Sequence, residues 1–277
     1  MTYEDCTKKC SEVGGSIITT NLLDTLLQRS KENKLGFLCH FVCLKTLNLR
    51  NVKRNGRWGF RPLLGMNEFF SSTFSLINLF VNIYSYHKTL RPRLGNDHIS
   101  NMYVIQHYIS NFAFISSFLF HVHENTVTRY LDYFFAFLVL TYALYVSFVR
   151  VIRIFMYVGR GFNNNLKSLF VAFYSYHVYR MLNIEFDYAY NKLACILIVT
   201  FIFINHFIIY VRYRNMPHSK NILFFTLLFF IAGMIEIQDI PPYAYLVDSH
   251  AMWHLISCLS TPFYALFWSE DIRVNGV

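Results

Sequence analysis

Beyond residue 63 most of the chain falls into seven apolar runs, at about 64–87, 103–123, 130–150, 165–182, 190–212, 220–238 and 249–268. Each approaches the roughly twenty residues that carry an α-helix through a hydrocarbon core about 30 Å thick. Across 277 residues, 55% are hydrophobic and only 15% charged, more apolar surface than a soluble domain of this length can hide. In lipid each such segment must satisfy its own backbone groups. The expected fold is therefore all-α, a polytopic membrane protein with a seven-transmembrane helical bundle over 64–268. A short N-terminal lumenal tail, 1–63, would precede it and a short cytosolic tail, 269–277, would follow.

The formal charge of +9 needs no nucleic acid to explain it, because the basic residues sit mostly between apolar runs. The first, third and fifth loops hold Lys88, Arg91, Arg93, Arg150, Arg153, Arg160, Lys167, Arg212, Arg214 and Lys220. The second, fourth and sixth hold only Arg129 and Lys192, but carry Glu124, Glu185, Asp187, Asp239 and Asp248. The positive-inside rule then makes the odd loops cytosolic and the N-terminus lumenal. A basic cluster before the first run, Arg50, Lys53, Arg54, Arg57 and Arg61, pulls the other way and is outweighed by three consistent loop pairs.

The start Met1-Thr2-Tyr3-Glu4-Asp5 lacks a signal-peptide pattern, so either a leader precedes it or the first span carries the tail across. The tail's cysteines form two short pairs, Cys6 with Cys10 and Cys39 with Cys43. In an oxidising lumen they would staple two short helices together; in the cytosol they would stay reduced or bind metal. Cys195 and Cys258, inside apolar runs, read as packing residues.

The stretch Asp248-Ser249-His250-Ala251-Met252-Trp253-His254 opens the last run. Histidines four apart share a helix face, where both imidazoles can reach one metal ion. Under the loop-charge orientation the second run ends on the lumenal side at His121, with Ser117 one turn earlier, and the third begins there at Asp132. A carboxylate just inside an apolar run is costly unless paired, hydrated or functional. These groups, from three helices, thus converge on one leaflet.

The chemistry that fits is metal-assisted hydrolysis, with His121, His250 and His254 holding Zn²⁺. A fourth position stays open to water, whose pKa drops toward about 7. Asp132 would take the water's proton, Ser117 would orient the water or donate to the developing oxyanion, and Asp248 would stand behind the ligands. Ser117 as a nucleophile beside His121 is the weaker alternative. His123 and Glu124 read as a solvated loop, and His107, His177 and His206 as packed or hydrogen-bonded. Glu68 and Asn78 would hold a second ion or bond across helices.

At these residues the chain resembles the family of post-GPI-attachment lipid-remodelling hydrolases, within the superfamily of alkaline ceramidases and progestin and adiponectin receptors. The resemblance covers about residues 57 to 271. It rests on Arg57-Trp58-Gly59-Phe60-Arg61 with Gly65 and Glu68, on Ser72 to Asn78, and on Ser117 to His121 with Asp132-Tyr133-Phe134-Phe135-Ala136. Asp187 to Asn191, Asp239-Ile240-Pro241-Pro242 and the stretch from Asp248 to His254 complete it. The resemblance implies a GPI-specific phospholipase A2 activity that removes the sn-2 acyl chain from the anchors of GPI-anchored proteins, in the endoplasmic reticulum or Golgi membrane, with a lumenal site. The superfamily's serine, aspartate and three histidines fall on Ser117, Asp132, His121, His250 and His254. The other readings are a ceramidase-like amidase, a seven-helix receptor with structural zinc, and a non-enzymatic factor for GPI-protein maturation. Carboxylates for a calcium site before the first span are unmatched apart from Glu68.

Overall fold

Where the sequence alternates long apolar runs with short charged loops, the computed structural model has helices, over described residues 1–15, 24–25, 29–54, 57–156, 160–184 and 186–275. Of the residues named above, Glu185 lies outside them. Among the elements with described bounds, two short helices, α1 (Tyr3–Gly14) and α2 (Lys31–Thr46), precede seven long ones. These are α3 (Phe69–Ser85), α4 (His98–Val122), α5 (Thr126–Phe155), α6 (Arg160–Asn183), α7 (Tyr188–Tyr213), α8 (Ser219–Gln238) and α9 (Ser249–Asn275). A π-helical turn, Tyr86–Leu90, and a 3-10 turn, Arg91–Arg93, extend α3. No strand forms among the described residues, only isolated bridges.

Helix ends follow local chemistry. The first run was expected to turn helical at 64, but Leu64 and Gly65 take φ of 50° and 77°, which a right-handed helix cannot contain, and α3 starts at Phe69. Asp97 caps α4 by accepting from the Ile99 and Ser100 amides, and Asn125 with Thr128 forms a capping box on α5. The last helix runs beyond the apolar run that ends at 268, as far as Asn275, and Asp271 is drawn into the bundle. There Arg150 donates to it from Nε at 2.7 Å and Nη2 at 2.9 Å, and to the Tyr213 hydroxyl at 2.8 Å.

Helices α3, α4, α5, α7, α8 and α9 pack in that neighbour order and α9 closes back on α3, while α6 leans on α5 from outside. The His177 ring of α6 stacks on Phe137 of α5, with centroids 3.5 Å apart. By length and composition α5, α7 and α8 can cross a membrane, so this is an all-helical membrane protein. The outer face of α8 shows why: Phe224, Leu227, Phe230, Ile231 and Met234 are exposed. The inward faces of α3, α4 and α9 carry Ser75, Asn78, Ser117, His121, His254 and Ser257, all buried. The half of the bundle around Arg150 is apolar, with Tyr103, Tyr145, Val149, Ile209, Phe267 and Trp268 in its core.

The tail is a disulfide-stapled helical hairpin. Cysteines four apart lie on one face of each helix, and the antiparallel pairing crosses them, joining Cys6 to Cys43 and Cys10 to Cys39. The segment after α2 runs onto the bundle, where the Arg61 amide donates to the Tyr245 carbonyl at 2.8 Å.

Candidate metal centre

One helical turn separates His250 from His254 on α9, and both imidazoles meet His121 in the last turn of α4. The three Nε2 atoms form a nearly equilateral triangle, 3.2 Å from His121 to His250, 3.3 Å from His121 to His254 and 3.1 Å from His250 to His254. Nitrogens about 2.0–2.1 Å from a tetrahedral zinc ion stand roughly 3.3 Å apart. Lone pairs converging at that spacing repel one another unless a cation or shared protons lie between them.

The far sides of the rings explain why Nε2 faces inward. The Nδ1–H of His121 donates to Glu68 Oε2 at 2.7 Å, and that of His250 to Glu236 Oε1 at 3.1 Å. Among the described residues, His254 Nδ1 meets only the Ser75 hydroxyl, at 3.5 Å. A carboxylate behind a histidine sets the tautomer and raises the basicity of the nitrogen that ligates. Carboxylates of Glu68, Asp132, Glu236 and Asp248 crowd the three rings, with Arg57 as the cation that faces Glu68 and Asp132. Donor type, spacing, tautomer and the surplus of negative charge all suit Zn²⁺. Among the described residues, these histidines are the trio of potential ligands whose donor atoms lie within 4.8 Å of one another.

Ser117, one turn before His121, brings its hydroxyl 3.1 Å from Ser75 Oγ and stands near Asp132 at the start of α5. Ser75 spends its own proton on the Ser71 carbonyl at 2.8 Å, leaving its oxygen to accept. Asn78 ties α3 to α9 by donating to the His254 carbonyl at 2.7 Å, a bond across helices. Asp248 plays a more local part than a direct contact with a ligand ring: it accepts from the Ala251 amide at 2.8 Å and so caps the turn that carries His250. Burial pushes the Asp248 carboxyl up.

The expected five residues, Ser117, His121, Asp132, His250 and His254, thus stand around one point. His123 corrects an expectation, being 1% exposed rather than part of a solvated loop, and the tail charges of Arg29 and Asp24 act on it. Glu236 and Ser75 were not singled out from sequence. An ionisable residue inside an apolar run is a signal in its own right, and Glu236 in 220–238 carries it. Ser75 lies in the Ser72 to Asn78 block of the resemblance, but a hydroxyl in such a helix gives no sign of its own that it faces a histidine.

The chain matches the Per1-like family over residues 5–272. It is 30% identical over 208 residues to a Drosophila melanogaster protein named "Post-GPI attachment to proteins factor 3", across 72% of this chain and 61% of that one. Over 270 residues it is 26% identical to the "Protein PER1 homolog" of Schizosaccharomyces pombe, across 91% of this chain and 80% of the relative. A Cricetulus griseus protein named "GPI-specific phospholipase A2-like PGAP3" is 27% identical over 291 residues, across 96% of this chain and 85% of the relative.

Proposed function

This chain belongs to the Per1-like family, and from that premise we propose that it remodels GPI anchors by metal-dependent hydrolysis of their sn-2 acyl ester, as a phospholipase A2-type enzyme. The observation that carries the reading is the Nε2 triangle of His121, His250 and His254 with Ser117 and Asp132 beside it. The names of the relatives, which refer to GPI attachment and a GPI-specific phospholipase A2, supply the substrate class. In this reading α3 to α9 all cross an endoplasmic reticulum or Golgi membrane, and the centre faces the lumen, where GPI-anchored proteins present their lipid.

His121, His250 and His254 hold Zn²⁺ through Nε2, with Glu68 and Glu236 keeping the Nδ1 protons in place. When bound, the ion supplies Lewis-acid chemistry that activates water at neutral pH and polarises an ester carbonyl. Asp132 accepts the proton of the attacking water and returns it to the sn-2 alkoxide as the ester C–O bond breaks. Ser117 donates to the carbonyl oxygen as charge develops there. The products are a free fatty acid and a lyso-anchor, which another acyl chain can refill.

The test is fatty-acid release by purified protein from a GPI lipid and, in parallel, from ceramide, with and without a chelator. The reading expects chelator-sensitive release from the ester substrate and none from the His254→Ala variant. Release from ceramide alone would make the protein an amidase, and release from neither would leave it a binding protein.

A further inference from the structure

The proposed chemistry uses nothing from the N-terminal 63 residues, yet their last segment lies across the end of the bundle where the histidines sit. Arg57 donates from Nη1 to Glu68 Oε1, and its Nε lies 3.2 Å from Glu124 Oε2. Its guanidinium is stacked 4.0 Å from the centre of the Phe120 ring, next to His121 in sequence. The other oxygen of the same Glu68 carboxylate receives the His121 Nδ1 proton. A few residues away, Lys53 pairs with Asp239, and the Trp58 indole N–H donates to that carboxylate at 2.9 Å. Asp239 ends α8 in a left-handed conformation, φ 50°, three residues after Glu236, the partner of His250. Lys53, Arg57 and Trp58 therefore grip both carboxylate-bearing helix ends that orient metal-binding histidines.

We infer that the disulfide-stapled tail is a positioning clamp for the metal centre, with Arg57 its principal residue. The inference rests on the metal reading for its affinity readout, and it extends that reading to a part of the chain outside the bundle. Arg57 acts through Glu68: with one oxygen tied to the guanidinium and the other to the imidazole, the carboxylate has one orientation, and so has the ring. A salt bridge serving only to dock the tail would not need to share its carboxylate with a ligand histidine. Carboxylates of this kind change metal affinity about 10–100-fold when lost.

The test uses the full chain in detergent and two readouts. Zn²⁺ affinity by chelator competition is compared for wild type, Arg57→Gln, Arg57→Lys and Asp271→Asn, the last destabilising the opposite end of the bundle. Hydrogen exchange of the metal-free proteins is followed over residues 66–72 and 236–240. The clamp expects Arg57→Gln to weaken zinc binding about tenfold or more and to raise exchange in both segments, with Arg57→Lys recovering part of each. Asp271→Asn should lower thermal stability with affinity and both segments unchanged. Unchanged affinity and exchange in Arg57→Gln, or equal losses in Asp271→Asn at matched stability, overturn it. If wild type binds no zinc, the metal reading fails, and the exchange comparison alone decides the clamp.

Discussion

Replacing Glu236 by Ala removes the acceptor behind His250 while leaving all three ligand histidines in the chain. The His250 Nδ1–H loses its 3.1 Å bond, so the ring can turn and its Nε2 need no longer face His121 and His254. Loss of such a partner weakens metal binding about 10–100-fold, equivalent to about 1.4–2.7 kcal/mol. Ser75→Ala makes a graded comparison, because its contact with His254 Nδ1 is 3.5 Å, at the limit of a hydrogen bond, and the expected loss is under about threefold. Titrating purified protein with Zn²⁺ against a chromophoric chelator gives both constants, and Glu236→Gln, which keeps an acceptor oxygen, should fall between Ala and wild type. Equal losses for Glu236→Ala and Ser75→Ala, or none for the former, would refute the account of how the lone pairs are aimed.

Asp132→Asn should retain zinc, measured by metal analysis, while fatty-acid release drops about 10²–10⁴-fold, the usual worth of a positioned proton acceptor. Arg150→Met should destabilise the bundle by about 3–5 kcal/mol, since it breaks the buried two-bond ion pair with Asp271, whose side chain is 1% exposed. Adding Asp271→Leu should restore most of that in thermal unfolding; a double variant as unstable as the single would contradict the buried-charge argument. In the tail, burial, helped by the Arg54 charge, pushes His40 down to about 4 from an ordinary value near 6.5. The folded tail thus keeps His40 neutral while the unfolded tail takes up a proton. Its contribution is complete above about pH 6.5 and is lost as pH falls toward 4. Thermal unfolding of the tail against pH should slope down through that window in wild type and flatten in His40→Gln.

Helix positions were readable because apolar runs and caps are local: the runs at 190–212 and 220–238 differ from α7 and α8 by at most two residues at either end. The last helix was read too short, since nothing near Asp271 in sequence announces Arg150, 121 residues away. The five expected site residues were legible for a similar reason. Spacing of four puts Ser117 with His121 and His250 with His254 on shared faces, and loop charges set the three helix ends at one level. The backing of the histidines was less so: Glu68 was noticed without a role, and Glu236 was passed over.

The amino-acid sequence by itself determined that the chain is helical and apolar in runs, which helix faces carry histidine, serine and aspartate, and that four cysteines sit ready to link two short helices. Those properties depend on residues within one or two turns of each other. Tertiary structure alone decided which ring nitrogens point inward, which cysteines join, and that the tail reaches the centre. The distances in sequence give the reason: 53 residues separate Glu68 from His121, and 129 separate His121 from His250. No local pattern encodes such a pairing, so the choice of proton and partner at each imidazole was made only when α3, α4, α8 and α9 packed together.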